Sequence, residues 1–375
     1  MRMLRAFVLL AILLVTAGVN TQTNCCPGHT APTSPPYEVI QQFPSSGPMQ
    51  TAWLVHWAEA THVGLYITGA WFKRTPAEPW VRILWDARLS DIFVPYHTGS
   101  PRYYDLSHFS FPLVQAGPKD AGCCGTLLGN PPHVVREVRD RGPMWKDDTA
   151  VYRGEELVLW STLDAANYNY IMQYIFRDDG TIGFRLGATA RNLPGRELEA
   201  HMHNGLWRVD IDLAGFPNDS ALLMKHTEAG LTATDTMPPF NGGFEGSATW
   251  NAEFTEIGVV DTVVKNGRGH NIQYDLMPMR SGSARHDEPF MRYDMWVTRY
   301  DPSQLAYPSL PTYVTANRSV TNTDVVLWYA SSMHHLPRDD DGEFVDGFFK
   351  GSALVMWSGF DLRPRNFFDR TPFFP

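Results

Sequence analysis

Helical signal is what this sequence lacks most. Across 375 residues almost no stretch sustains the 3.6-residue apolar spacing of an amphipathic helix, and internal repeats are absent. Basic charge is also short. Lys and Arg number 31 against 40 Asp and Glu, a formal net charge of -9, and no Lys/Arg-rich run interrupts that balance. This argues against nucleic acid as a partner. No CxxC, no Gly-rich phosphate loop and no Ser nucleophile elbow occurs, so the sequence offers no sign of three common chemistries. Cysteine is scarce: four residues, in the adjacent pairs Cys25-Cys26 and Cys123-Cys124. Long apolar runs are confined to the N-terminus, and nothing after it is apolar enough to span a bilayer.

That N-terminal run has a recognisable form. Arg2 and Arg5 precede an apolar stretch from Phe7 to Val15, and Val15-Thr16-Ala17 suits cleavage. Residues 1–20 are therefore expected to be a secretory signal peptide, leaving a secreted chain with no membrane attachment. In an oxidising compartment the cysteines are expected to bridge. Sequence neighbours rarely pair with each other, so a link between the two pairs is the expectation. Asn218 and Asn317 begin glycosylation sequons, usable in a eukaryotic host.

Aromatic residues make up 13% of the chain, with 12 Trp and 28 Pro, which favours strands and long loops. Residues 21–50 read as a Pro/Ser-rich lead-in. From 51 to 375 short segments alternate apolar and polar residues, as in "HVGLYITGAWF", "ELVLWSTLD" and "TIGFRLGATA". "RDDGTIGF" signals a hairpin. The fold class expected is all-β, one large antiparallel β-sandwich.

Several segments could carry chemistry. In "HMHNGLWRVDID", His201 and His203 sit two apart, so on a strand both imidazoles face one way and could meet a metal. "MHHLPR" adds His334 and His335, only one of which can join them from an extended strand. Asp210 and Asp212 lie at odd offsets from the histidines, hence on the opposite strand face, and Asp324 precedes His335 by an odd offset. Carboxylates grouped there suit a hard cation such as calcium, or equally a solvated acidic face. In "SPRYYDLSHF", Asp105 beside Tyr103 and Tyr104 could be a base. "NYNY" sets two tyrosines, Tyr168 and Tyr170, on a strand.

Taken together these segments resemble the catalytic domain of copper-containing primary amine oxidases, over roughly residues 60–375. "NYNY" is similar to the family's Asn-Tyr-Asp/Glu-Tyr, in which the first Tyr becomes topaquinone. The resemblance implies Tyr168 as the topaquinone precursor, with Asn167 restraining it and Asn169 in place of the family acid. It implies His201, His203 and His335 as copper ligands, the last selected by "HLPR". Asp210, Asp212 and Asp324, with the backbone oxygens of Ile211 and Val325, would form a calcium-type site. Asp105 would be the base, Tyr103 a gate and Tyr96 a partner of the quinone oxygen. The implied reaction turns a small primary amine, dioxygen and water into aldehyde, ammonia and hydrogen peroxide. A homodimer is implied as well. The rival reading is a secreted copper-binding sandwich of the same family with impaired catalysis.

Overall fold

The computed structural model describes residues 37–190, 192–225, 237–250, 255–279, 285–339, 341, 343–345, 348–350 and 355–373. The expected signal peptide and Cys25-Cys26 lie outside them, and with Cys25-Cys26 the expected inter-pair bridge. Cys123 Sγ lies 3.2 Å from Cys124 Sγ.

Five strands open the fold: β1 (Tyr37–Phe43), β2 (Thr51–Ala60), β3 (Gly64–Lys73), β4 (Val81–Pro95) and β5 (Arg102–Tyr104). Five more build a second sheet: β6 (Thr126–Gly129), β7 (Pro132–Lys146), β8 (Val151–Ala165), β9 (Tyr168–Arg177) and β10 (Ile182–Ala190). The chain then alternates between sheets through β11 (His201–Ile211), β12 (Asp219–Lys225), β13 (Gly246–Ala248), β14 (Thr255–Lys265), β15 (Asn271–Pro278), β16 (Met295–Arg299) and β17 (Val325–His335). A small pair, β18 (Glu343–Val345) and β19 (Phe348–Lys350), precedes the last strand, β20 (Met356–Arg365). The first sheet runs β1-β2-β3-β4-β11-β17-β16-β13, with β5 on β4. The second runs β12-β14-β15-β20-β10-β9-β8-β7-β6. Both are antiparallel, as the alternation in the sequence predicts. Among the described residues, no helix is long and apolar enough to cross a membrane.

Period-two alternation decides what goes where. Trp207, Val209 and Ile211 of β11 point into the core between the sheets, against Phe184, Tyr174 and Phe360. Leu206, on the other face, joins a second apolar cluster with Phe93, Trp296 and Trp328. The lead-in expected over 21–50 needs correcting at its end. β1 pairs along its whole length with β2, burying Tyr37, Val39 and Phe43, and Tyr37 stacks on Trp57 at 4.3 Å. "YEVIQQF" alternates like any strand, but the surrounding Pro and Ser mask it in a reading by composition.

Two connections matter for the site. The "DDG" hairpin forms between β9 and β10 as its residues predict, with Gly180 at φ +86° and Asp179 Oδ1 accepting Thr181 N–H at 2.9 Å. Between β8 and β9 the turn is only Ala166-Asn167, since Ala165 pairs with Tyr168. Ala166 takes φ +63°, a left-handed conformation that alanine rarely adopts. This tight turn places Tyr168 at the very start of its strand, at the rim of the core.

Candidate active site

Register on neighbouring strands brings the histidines together. β11 and β17 pair without interruption, and His201 stands directly opposite His335. His203 follows His201 on the same face. Of the next pair it is His335 that lies with them: His335 is fully buried, whereas His334 is exposed and stacks on His97 at 4.8 Å. His201, His203 and His335 are all fully buried, with donor atoms within 4.8 Å of one another. Among the described residues this is the one group of three or more metal-ligating side chains so arranged.

Which nitrogen each ring turns inward is set by what holds the other. His201 Nδ1 lies 3.3 Å from the Glu199 carbonyl, His203 Nδ1 2.9 Å from the Tyr170 hydroxyl, and His335 Nε2 2.8 Å from Asp341 Oδ2. That leaves Nε2, Nε2 and Nδ1 converging, with the two Nε2 atoms 3.0 Å apart. Burial, reinforced by the neighbouring imidazoles, pushes the His201 pKa down to about 3 and lowers His203 well below its usual value. Burial also lowers His335, although Asp341 opposes it. The rings are thus neutral near pH 7, as metal ligation requires. Three oriented, neutral imidazoles in a dry site fit copper.

Because Asp341 fixes the tautomer and direction of His335, Asp341→Asn is expected to weaken copper binding about 10- to 100-fold. Competition against a chelator of known affinity measures this, and an unchanged affinity would show that Asp341 serves only Arg338.

The phenol of Tyr168 enters this cluster. Its hydroxyl lies 2.8 Å from His201 Nε2 and within hydrogen-bond contact of His335 Nδ1, and its ring centroid is 4.5 Å from that of His203. It also donates a longer bond, 3.4 Å, to Asn192 Oδ1. Burial, with Tyr96 as a lesser contributor, raises the phenol pKa, so it is protonated.

Tyr168 forms part of the wall of a cavity of about 370 Å³, together with Tyr96, Tyr103, Asp105, Asn167 and Tyr170. Tyr96, Tyr103, Asp105, Asn167 and Tyr168, the five residues given roles in the chemistry by the resemblance, therefore share one cavity. Asp105 is 8% exposed, and burial pushes its carboxyl up to about 7, against the lowering effect of a hydrogen bond from Tyr170. Tyr96 lies face-on to His201, ring centroids 4.4 Å apart. Tyr103 meets Tyr96 and Phe109 edge-on.

Sequence reasoning passed over Tyr170. Its hydroxyl donates to Asp105 Oδ2 at 2.5 Å and lies 2.9 Å from His203 Nδ1, tying the base to the metal cluster. Spacing could have found it, because residues 168 and 170 share a strand face. Asp341 and Asn192 had no such signal. Each lies in a loop with no period to read.

The carboxylates fall, as predicted, on the opposite face of β11. Asp210 and Asp212 are buried, beside Arg208 and Arg82 respectively. Asp324 borders Asp210 closely enough to share a hydrogen bond with it. Burial raises Asp210 to about 9 and Asp324 to about 6. One oxygen of each of the three is buried with no hydrogen-bond partner. Ile211 and Val325 are the flanking strand residues that pair with each other.

Comparison with known proteins agrees with this arrangement. Residues 194–374 match the family model for copper amine oxidase, enzyme domain. A copper-containing amine oxidase of Arabidopsis thaliana is 22% identical, covering 85% of this chain and 58% of its own length. A primary amine oxidase of Klebsiella aerogenes is 24% identical, covering 78% and 48%. The chain thus spans about half the length of such curated relatives. Among solved structures, a copper-containing benzylamine oxidase from Hansenula polymorpha superposes with a TM-score of 0.65 at 17% identity, over 92% of this chain and 64% of that one. An Aspergillus nidulans amine oxidase gives 0.64 at 18%, over 92% and 56%. These likenesses are of fold.

Proposed function

We propose that this chain, which carries a copper amine oxidase catalytic domain, oxidises a primary amine with dioxygen and water to an aldehyde, ammonia and hydrogen peroxide. The observation that carries this reading is the Tyr168 hydroxyl lodged among three metal-competent imidazoles. Copper held by His201, His203 and His335, and a topaquinone derived from Tyr168, would supply the electron chemistry, accepting two electrons from the amine and delivering them to dioxygen.

The chain's own groups supply placement and proton handling. The Ala166-Asn167 turn holds residue 168 at the end of a strand, where it reaches both the histidines and the cavity. Asp105 takes the proton from the carbon beside the amine nitrogen. Its pKa of about 7 suits that task, being neither too weak a base nor largely protonated at neutral pH. Tyr170 orients Asp105 by donating to one carboxyl oxygen. Tyr103 gates entry; its place in the cavity lining supports this. Asn169 in the family's acid position lies outside both the metal cluster and the Asp105 contact, with its amide near the Tyr168 carbonyl at 3.4 Å.

The test is peroxide and aldehyde release after copper loading in air. A chain that binds copper and stains for quinone but oxidises no primary amine would instead be the impaired copper binder.

We infer further that Asp210, Asp212 and Asp324, with the carbonyls of Ile211 and Val325, take a calcium-type ion. The support is three buried carboxylate oxygens without a partner. Calcium at 100 times its dissociation constant should stabilise the copper-loaded chain by about 2.7 kcal/mol. An unfolding midpoint indifferent to added calcium would sink this.

A further inference from the structure

The geometry points to an apolar monoamine with an aryl group as the substrate class, held by Phe109 and Phe111 and discriminated against diamines. This rests on the proposed oxidase reading and narrows it. Neither phenylalanine has a role in the chemistry described above, yet both line the same cavity as Tyr168. Their rings stack at 5.3 Å with planes 18° apart, and Tyr103 closes on Phe109 edge-on at 5.9 Å. Val94 and Leu193 complete an apolar wall.

This aromatic segment is tied down. His62, from the turn between β2 and β3, places Nδ1 2.8 Å from the Leu106 carbonyl and 3.2 Å from the Phe109 carbonyl. Its Nε2 lies 3.3 Å from Ser110 Oγ. An aryl ring arriving beside Phe109 therefore meets a surface already in place, so little ordering entropy opposes binding.

Charge decides the exclusion. Among the described residues lining the cavity, Asp105 is the one carboxylate. An amine's reacting end is accommodated there. The far ammonium of a diamine would then lie against Phe, Val and Leu side chains with no counter-charge. An ammonium loses part of its hydration beside these side chains with nothing to offset it, whereas a ring gains by the contact. Stacking or edge-on contacts to two phenylalanines add to that gain.

Calorimetry on the copper-loaded Tyr168→Phe chain, which cannot turn over, tests binding directly. Benzylamine is expected to bind at least about tenfold more tightly than 1,4-diaminobutane. Phe109→Ala should weaken benzylamine by about tenfold and leave the diamine unchanged. Phe109 is 38% exposed, so its truncation spares the core, and Phe109→Trp should restore benzylamine binding. Equal or tighter binding of the diamine, or benzylamine affinity indifferent to Phe109→Ala, overturns the assignment. Turnover by the unaltered chain separates the two readings. Benzylamine that binds without peroxide release defeats the oxidase and spares the aryl pocket. Diaminobutane oxidised with the same kcat/KM as benzylamine defeats the pocket and spares the oxidase.

Discussion

A Tyr168→Phe chain is expected to bind copper in the normal ratio, to give no quinone stain, and to lose amine oxidation by at least about 10³-fold. Phenylalanine fills the same space, so the packing of Tyr168 on Tyr170 and His203 survives. What goes is one oxygen, the atom that lies 2.8 Å from His201 Nε2. Ring oxidation at a metal needs that oxygen at the metal. The structural cost is small, a net hydrogen-bond loss of about 1 kcal/mol. Folding and copper content thus serve as internal controls. Equal quinone absorbance and equal peroxide release from the two chains would remove Tyr168 from the reaction and with it the oxidase assignment.

Asp105→Asn should cut kcat/KM by about 10²- to 10⁴-fold while leaving copper and quinone in place. Asparagine keeps the shape and can still accept the Tyr170 hydrogen bond, but it cannot take a proton. The pH profile gives a second, independent readout. A base works only when unprotonated, so kcat/KM should rise with pH through about 7 and level off above it, following the Asp105 carboxyl. In Asp105→Asn that acid limb should vanish. The same shift has a sign for folding. The folded chain holds this proton up to about 7, whereas an unfolded aspartate releases it near its usual value of 3.8. The protonated carboxyl therefore stabilises the fold fully at low pH, and that contribution is lost as pH rises from about 4 to about 7. An acid limb that persists unchanged in Asp105→Asn would assign it to another group.

The two readouts also separate neighbours. Tyr170 touches both Asp105 and His203, so removing its hydroxyl should perturb the pH limb and copper affinity together. Asp341 bonds His335 and Arg338, and its loss should leave the limb where it is.

Much of this was legible because β-strands have a period of two. That period put His201 with His203, separated both from Asp210 and Asp212, and let only one of His334 and His335 join them; the resemblance at "HLPR" picked His335. Each of these placements appears in the structure. The aromatic-rich, helix-poor sequence likewise dictated the sandwich. The failures share a cause as well. β1 was hidden by composition, because Pro and Ser beside a strand look like a tail. Asp341 and Asn192 sit in loops, where no repeating geometry relates sequence position to direction. Phe109 and Phe111 likewise lie outside any strand, after β5, and as two ordinary aromatics they carried no sign of what they faced.

The sequence by itself determined which side chains could be chemically active, and on which face of a strand each would project, since that depends only on local backbone geometry. Tertiary structure alone decided which faces meet. The pairing of β11 with β17, and the apposition of β9 from the other sheet, bring His201, His335 and Tyr168 into contact across 167 residues of chain. That apposition also makes the dry pocket in which a carboxyl titrates near 7 and three imidazoles stay neutral. Desolvation belongs to the assembled core and to no segment of it, so no local pattern could have announced it.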